Sequence, residues 1–403
     1  MSGFSRTVGA RLQPDRRSPS ETKIAAVWRP LLALGLGVAL ALAADQAIRL
    51  TLEPPAASER HWYLNTVQYH PVLGWSGYPN FVGMRDGRPV QTNSLGYRDR
   101  EPADGANGRR PRVLFLGDSF TWGDEVGLDE RYTSLLEASC GDVCDHLPAI
   151  RAINHGIIGY GTAQEFLNYL LSGRQRPHDV VILAVYTGND LNDNAEVESP
   201  SGPRPRLIRC DRPEADEGLC LEGVPVPPVV DWPEHRLISP RGAVARRFGW
   251  SGLVSMASER RAPGFLLDRR IAAQQGDALP FPIVPRTSDA NIADRIGQFE
   301  AIITAFNRAV RADGKTFGVL LFPSARVYAG DPERELRDYG AIAEMLNRLG
   351  IPFADFHGRT KDRPLDDLYF GIQGHWRPSG HQEAANVLRA LLVTLQRSNS
   401  SGG

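Results

Sequence analysis

A three-layer α/β/α sandwich around a mostly parallel five-stranded sheet is the fold that the sequence predicts for residues 111–397. Two observations carry that expectation. Short, continuous apolar runs such as "RVLFL" and "VVILAV" alternate with segments of helical period about five times. Each run then breaks into a polar turn. Runs that are apolar on both faces belong to parallel strands covered on both sides.

Taken in order, residues 51–110 are an N-terminal segment of short strands and turns, as in "HPVLGWSGYPNF" and "QTNSLGYRDRE". "RVLFLGDS" is the first sheet strand. "LDERYTSLLEAS" follows, with Leu128, Tyr132, Leu135 and Leu136 at helical spacing. "AIRAINHG" is a second strand, Thr162 to Leu171 a helix, and "DVVILAVYTGND" a third strand. Residues 195–287 are rich in proline and charge and predict a loop-rich insertion, with one helix near Val244 to Arg260. The alternation resumes with the helix "DRIGQFEAIITAFNRAVRA", the strand "TFGVLLFP" and the helix "ERELRDYGAIAEMLNRLG". A short strand, "PFADFHG", and a last helix, "SGHQEAANVLRALLVTLQ", complete it.

Composition narrows the function classes. The 403 residues are 42% hydrophobic and 23% charged, with a net charge of −1. There is no basic excess to neutralise phosphates, so nucleic acid is not an expected partner. Residues 24–50 hold an uncharged run from Pro30 to Ala44, long enough with its flanks to cross a bilayer. Arg6, Arg11, Arg16, Arg17 and Lys23 stand before it against Asp15 and Glu21, which keeps residues 1–23 as a cytoplasmic tail. A cleavable signal peptide is the competing reading, since Ala41-Leu42-Ala43 fits a cleavage site. The long polar lead-in favours an uncleaved anchor. Either way the body is exported: single-pass at the inner or plasma membrane with a periplasmic domain, or secreted.

The cysteines agree with export. Cys140 and Cys144 form one close pair and Cys210 and Cys220 another, so two local disulfides are expected in an oxidising compartment. Free buried thiols are the alternative. Zinc needs tighter Cys/His grouping, and neither metal nor cofactor is implied.

In parallel α/β sheets, ligands gather at the carboxyl ends of the strands. Here the polar turns fall at those ends: Gly117-Asp118-Ser119, "NHGIIGYG", Thr187-Gly188-Asn189-Asp190, and "GHWRPSGH" before the last helix. A hydroxyl, an imidazole, a glycine N–H and a side-chain amide are what acyl transfer through a serine requires.

These four blocks, in this order, resemble those of the SGNH (GDSL-type) hydrolase superfamily. "GDSFTWG" resembles the nucleophile block, "NHGIIGYGTAQEF" the second, "GND" the third and "GHWRPSGH" the last. The resemblance runs from residue 111 to about 395, interrupted by the insertion. It implies a flavodoxin-like sheet, Ser119 as nucleophile and His375 as base. It also implies an oxyanion hole from the N–H groups of Ser119 and Gly159 and the Asn189 amide. The family usually carries an aspartate two or three residues before the histidine. Gln373 and Ile372 stand there instead. Three readings stay open: a dyad with Gln373 or a backbone carbonyl orienting the imidazole, a carboxylate from elsewhere with Asp366 or Asp367 nearest in sequence, or an impaired site that only binds.

Plainer roles suit the remaining polar residues. His381 belongs to the first turn of the last helix, and Asp118 is a turn residue. His155 is a loop histidine or a substrate contact, and Trp122 lines the cleft or packs beneath the turn. Asn192, Asp193 and Asn194 solvate or cap the next loop. The expectation is a membrane-anchored, extracytoplasmic serine esterase acting on an ester-linked acyl group, O-acetyl on a glycan being one candidate. Its partners are then a small ester or acylated glycan and the membrane. The alternatives are an O-acetyltransferase on exported polysaccharide, to whose D-x-H-W-like block "QGHW" is similar, and a catalytically impaired glycan-binding or assembly protein.

Overall fold

The computed structural model describes residues 33–44, 66–85, 88–102, 110–139, 149–226 (apart from 197, 200, 201, 214, 216 and 217), 279–286, 292–330 and 332–400. Its centre is a five-stranded sheet of β1 (Arg112–Leu116), β2 (Arg151–Asn154), β3 (Val180–Tyr186), β4 (Thr316–Phe322) and β5 (Phe353–Asp355). The spatial order is β5-β4-β3-β1-β2, and every pairing is parallel. Val113 lies opposite Val180, Val180 opposite Thr316, and Val319 opposite Phe353. The chain leaves β1 for β2 on one side, then crosses back to β3 on the other. That reversal opens a crevice at the carboxyl ends of β1 and β3, where α/β sheets place ligands.

Nine helices from residue 111 onward belong to the described domain: α1 (Ser119–Trp122), α2 (Tyr132–Ser139), α3 (Thr162–Leu171), α4 (Asp190–Ala195), α5 (Arg295–Ala312), α6 (Pro332–Arg348), α7 (Phe356–Thr360), α8 (Leu365–Leu368) and α9 (Pro378–Ser400). The twofold alternation of the strands sorts their side chains into two apolar layers. Val113, Phe115, Ile182, Ala184, Leu320 and Phe322 meet Tyr132 and Leu136 of α2 and Leu388, Leu392 and Leu395 of α9. Leu114, Leu116, Val181, Leu183, Val319 and Leu321 meet Phe166 of α3, Ile302 and Phe306 of α5 and Ile342 and Leu346 of α6. Each fully buried Val, Leu, Ile or Phe among them contributes about 1.5–3 kcal/mol.

The helical period over residues 128–136 is broken in the structure. Leu128–Glu130 is a 3₁₀ turn, Arg131 is extended, and α2 starts at Tyr132. Arg131 O accepts the first helical bond of α2, from Leu135 N at 2.8 Å, while its Nε donates back to Leu128 O at 2.9 Å. Residues 66–91 form two hairpins, Val67–His70 with Gly74–Gly77 and Val82–Arg85 with Arg88–Gln91. Within the insertion, Arg206–Arg209, Leu219–Glu222 and Ile283–Val284 build a small sheet. A Cys210–Cys220 disulfide closes its hairpin.

Cys140, Cys144 and the helix expected near Val244 to Arg260 lie outside the described residues. Of the segment 24–50, residues 33–44 are described; they are helical and exposed. No helix among the described residues is long and apolar enough to cross a membrane.

Candidate active site

β1 ends at Leu116, and Asp118 turns the chain into α1 by accepting the Phe120 N–H at 2.9 Å. Ser119 is thereby the first residue of the helix, where a backbone N–H has no intrahelical acceptor. One turn later the helix stops. Gly123 takes φ +82° and returns its N–H to Ser119 O at 2.9 Å, and Asp124 N reaches the same oxygen at 3.0 Å. Glu125 then also adopts a positive φ, +64°. These two left-handed residues fold Asp124 and Glu125 back beside the serine.

His375 arrives from the other end of the chain, on the loop between α8 and α9. Gly374 N donates to Gly371 O at 3.1 Å, Phe370 N donates to His375 O at 2.9 Å, and Tyr369 bridges Trp376. Trp376 is fully buried, with ring centroids 4.4 Å from Phe322, 4.7 Å from Phe356 and 4.9 Å from Phe120. Phe120 follows the serine, Trp376 follows the histidine, and the two rings pack together. Core packing therefore sets the spacing of their polar neighbours, and His375 Nε2 lies 2.8 Å from Ser119 Oγ.

The carboxylate beside this pair is Glu125. Its Oε2 accepts the His375 backbone N–H at 2.9 Å and sits 3.3 Å from Nδ1; Asp124 Oδ2 is 3.8 Å from Nδ1. A proton on Nδ1 facing Glu125 leaves Nε2 as an acceptor for the serine hydroxyl. Burial works against the imidazolium. The hydrogen bond to Glu125 and the charges of Asp124, Asp118 and Glu125 outweigh it, so the His375 pKa is raised. Burial also pushes Asp118 up to about 6, against its bond from Phe120 N and the nearby histidine.

The residues expected to orient His375 do not meet it. Gln373 is exposed and lines the adjoining cleft, as does Ile372. Asp366 and Asp367 are exposed on α8, and Asp367 pairs with Arg363 at 3.3 Å. The carboxylate that the structure sets against His375 follows Ser119 in sequence instead of preceding the histidine. The signal in the sequence was "GDEVG": a glycine stop and two successive acids at the end of a one-turn helix.

The other two blocks close around α1. Asn154, ending β2, donates to Thr121 O at 2.6 Å and accepts the Gly156 N–H at 2.9 Å. A Cβ on Gly156 would stand 2.5 Å from Trp122 N, so only glycine lets this loop seat on α1. Ile157 N donates to Gly117 O at 3.0 Å, and Gly159 follows at φ +73°. Asn189 ends the β3 turn as the N-cap of α4 without a side-chain capping bond, and its Oδ1 is buried without a partner among the described residues.

The remaining candidates have structural places. His155 is buried, stacked 3.7 Å on Tyr97, and held near pKa 3 by burial. His381 is buried in the first turn of α9, accepts Tyr132 N at 3.2 Å, and is lowered by burial to about 3. Trp122 is buried beneath the turn. Asp193 pairs with buried Arg204 at 2.8 Å, Asn194 accepts Ala163 N at 2.8 Å, and Asn192 accepts from Arg295. Among the described residues no group of three or more His, Cys, Asp or Glu side chains could hold a metal ion.

No protein-family model matches the chain, and no curated protein does. Solved structures do. An acetylxylan esterase from Geobacillus stearothermophilus is 12% identical, covers 70% of this chain and 94% of its own, and has a TM-score of 0.37. An alpha/beta hydrolase enzyme from the metagenome of Lake Arreo is 13% identical, with 70% and 94% covered and a TM-score of 0.38. A member of the lipolytic protein G-D-S-L family from Veillonella parvula is 10% identical, with 70% and 97% covered and a TM-score of 0.32. The structures this chain resembles are thus those of G-D-S-L-type hydrolases and esterases, at a distance where the chain's own geometry has to carry its chemistry.

Proposed function

We propose that the chain is a serine esterase of the SGNH type that removes an ester-linked acyl group, O-acetyl on a glycan being the form expected, through a Ser119 acyl-enzyme. The observation that carries this reading is the relay Ser119 Oγ–His375 Nε2 at 2.8 Å and His375 Nδ1–Glu125 Oε2 at 3.3 Å, set at the carboxyl end of a parallel sheet. In the first step Ser119 Oγ bonds to the ester carbonyl carbon while its proton passes to His375 Nε2. Glu125 holds the tautomer that makes Nε2 basic, and its charge offsets that of the imidazolium. The oxyanion falls to the N–H groups of Ser119 and Gly159 and the Asn189 amide. As the tetrahedral species collapses, the ester C–O bond breaks and His375 gives its proton to the departing alkoxide. Water then resolves the acyl-enzyme by the same steps in reverse roles, releasing a carboxylic acid and free Ser119. A sugar hydroxyl in place of that water would make the reaction a transfer.

The same reading places the domain outside the cytoplasm, anchored through residues 24–50. Its support is the uncharged N-terminal run with its positive flank and the Cys210–Cys220 disulfide, a bond that persists in oxidising compartments. The test is labelling of the full chain, in detergent, by a fluorophosphonate probe, with hydrolysis of p-nitrophenyl acetate alongside. Wild type is expected to label and turn over, and Ser119→Ala to do neither. Hydrolysis that survives Ser119→Ala, or a wild type that never labels, removes the esterase reading.

A further inference from the structure

A cleft of about 630 Å³, within the size range of small-ligand sites, opens past the carboxyl ends of β3 and β4, lined by Thr187, Gly188 and Ser324. One wall is the active-site turn itself, with Gly188 directly before Asn189 and Gln373 two residues before His375. The lining also carries cations. Arg295 comes from the start of α5, Arg326 from the 3₁₀ turn Ala325–Tyr328 after β4, and Arg337 from α6. All three are exposed. Among the described lining residues they face one acid, Asp338. This collects positive charge at one place in a chain whose net charge is −1.

Two of these guanidiniums, those of Arg295 and Arg337, are in no ion pair among the described residues. Arg295 donates to the neutral amide of Asn192. Neutral polar groups, Thr187, Asn192, Ser324 and Gln373, share the lining, while an apolar tail would find Leu191, Ile372 and the Tyr186 ring among the described residues. A hydroxyl-rich, negatively charged molecule satisfies both features. Guanidinium forks pair bidentately with planar or tetrahedral oxyanions, and hydroxyl and amide groups match sugar hydroxyls.

We propose that this cleft binds the alcohol portion of the ester substrate and selects an acidic glycan, one whose sugars carry carboxylate or sulfate groups. The assignment rests on the esterase reading for what happens next to Ser119. Its own content is binding, which needs no turnover.

The test uses the full chain bearing Ser119→Ala and measures calorimetric binding of trigalacturonate, a sulfated trisaccharide and neutral maltotriose at low salt. At least one acidic sugar is expected to bind about tenfold or more tightly than maltotriose, the advantage shrinking as salt screens the exposed charges. The carboxylate and sulfate arms identify which anion the cleft takes. Arg337→Gln and Arg326→Gln each weaken acidic-sugar binding by about fivefold, and Asp338→Asn strengthens it, as the Coulomb signs require. Equal affinity for maltotriose, or acidic-sugar binding indifferent to all three substitutions, overturns the proposal. If the wild type resists fluorophosphonate while the acidic sugars still bind selectively, the esterase reading fails and the cleft assignment stands.

Discussion

Glu125 meets His375 across 250 residues of sequence, and that separation is why the sequence left the partner of the histidine open. Ser119 and His375 could be found because each sits in a recognisable turn and the turns come in a set order. The contact of Glu125 depends on two positive-φ residues, Gly123 and Glu125, that fold the return loop back on itself. No periodicity encodes such a reversal. Glu125→Gln tests the assignment. An amide in place of the triad carboxylate costs a serine protease about 10⁴ in turnover. With Asp124 still 3.8 Å from Nδ1, we expect a loss of about 10²–10³ in kcat for p-nitrophenyl acetate. The pH profile separates this positioning role from a structural one. Neutral His375 is the base, so activity appears as pH rises through its pKa. Removing Glu125 takes away a raising influence, and the acid limb of kcat/KM moves to lower pH. A limb that stays in place assigns the orienting role to another group.

At the scale of elements, the strands and long helices were legible because their periods are set by burial: α3 runs over Thr162–Leu171, as its spacing indicates. The small sheet of the insertion was not, since its strands are two to four residues long and too short to show alternation. The loop that delivers His375 is short too, yet it is held by one large side chain. Trp376 fills the space between Phe120, Phe322 and Phe356. Trp376→Ala is expected to cost about 3–5 kcal/mol, read by urea denaturation, because the cavity cannot collapse between rings fixed from three elements. Trp376→Phe keeps part of the ring packing and should lose less stability and less activity. A Trp376→Ala protein of wild-type stability would show that the loop is held by something else.

For the whole molecule, two sets of buried groups oppose each other as pH changes. His155 and His381 are buried and His70 half-buried, and desolvation pushes their pKa values down to about 3, 3 and 4. Their folded pKa values lie below the unfolded 6.5, so the stability they contribute is present above that pH and is lost as pH falls. Asp118 and Asp193 are raised by burial to about 6, and burial also raises Asp190 and Glu165 well above the ordinary carboxylate range. Their contribution is full below the unfolded carboxyl range and is lost as pH rises toward the folded values. His375, also raised, adds stability below 6.5 that disappears above it. From about pH 4 to 6.5 the two sets offset one another; outside that window only one acts on each side. Calorimetry should therefore give a Tm plateau across that window, with a fall on both flanks. Glu165→Gln should flatten the alkaline flank, since both Glu165 oxygens are buried without partners among the described residues. A Tm that climbs from pH 6.5 to 8.5 contradicts this account.

Ser119 and Glu125 travel on one short piece of chain, the single turn of α1 and the loop behind it. On the proposed esterase reading the machinery is accordingly a two-part assembly: one part already carries hydroxyl and carboxylate, and the other supplies only the imidazole. That division leaves position 373 vacant of duty in proton transfer. Its side chain faces the cleft wall, where substitution can retune what the protein holds while the relay stays intact.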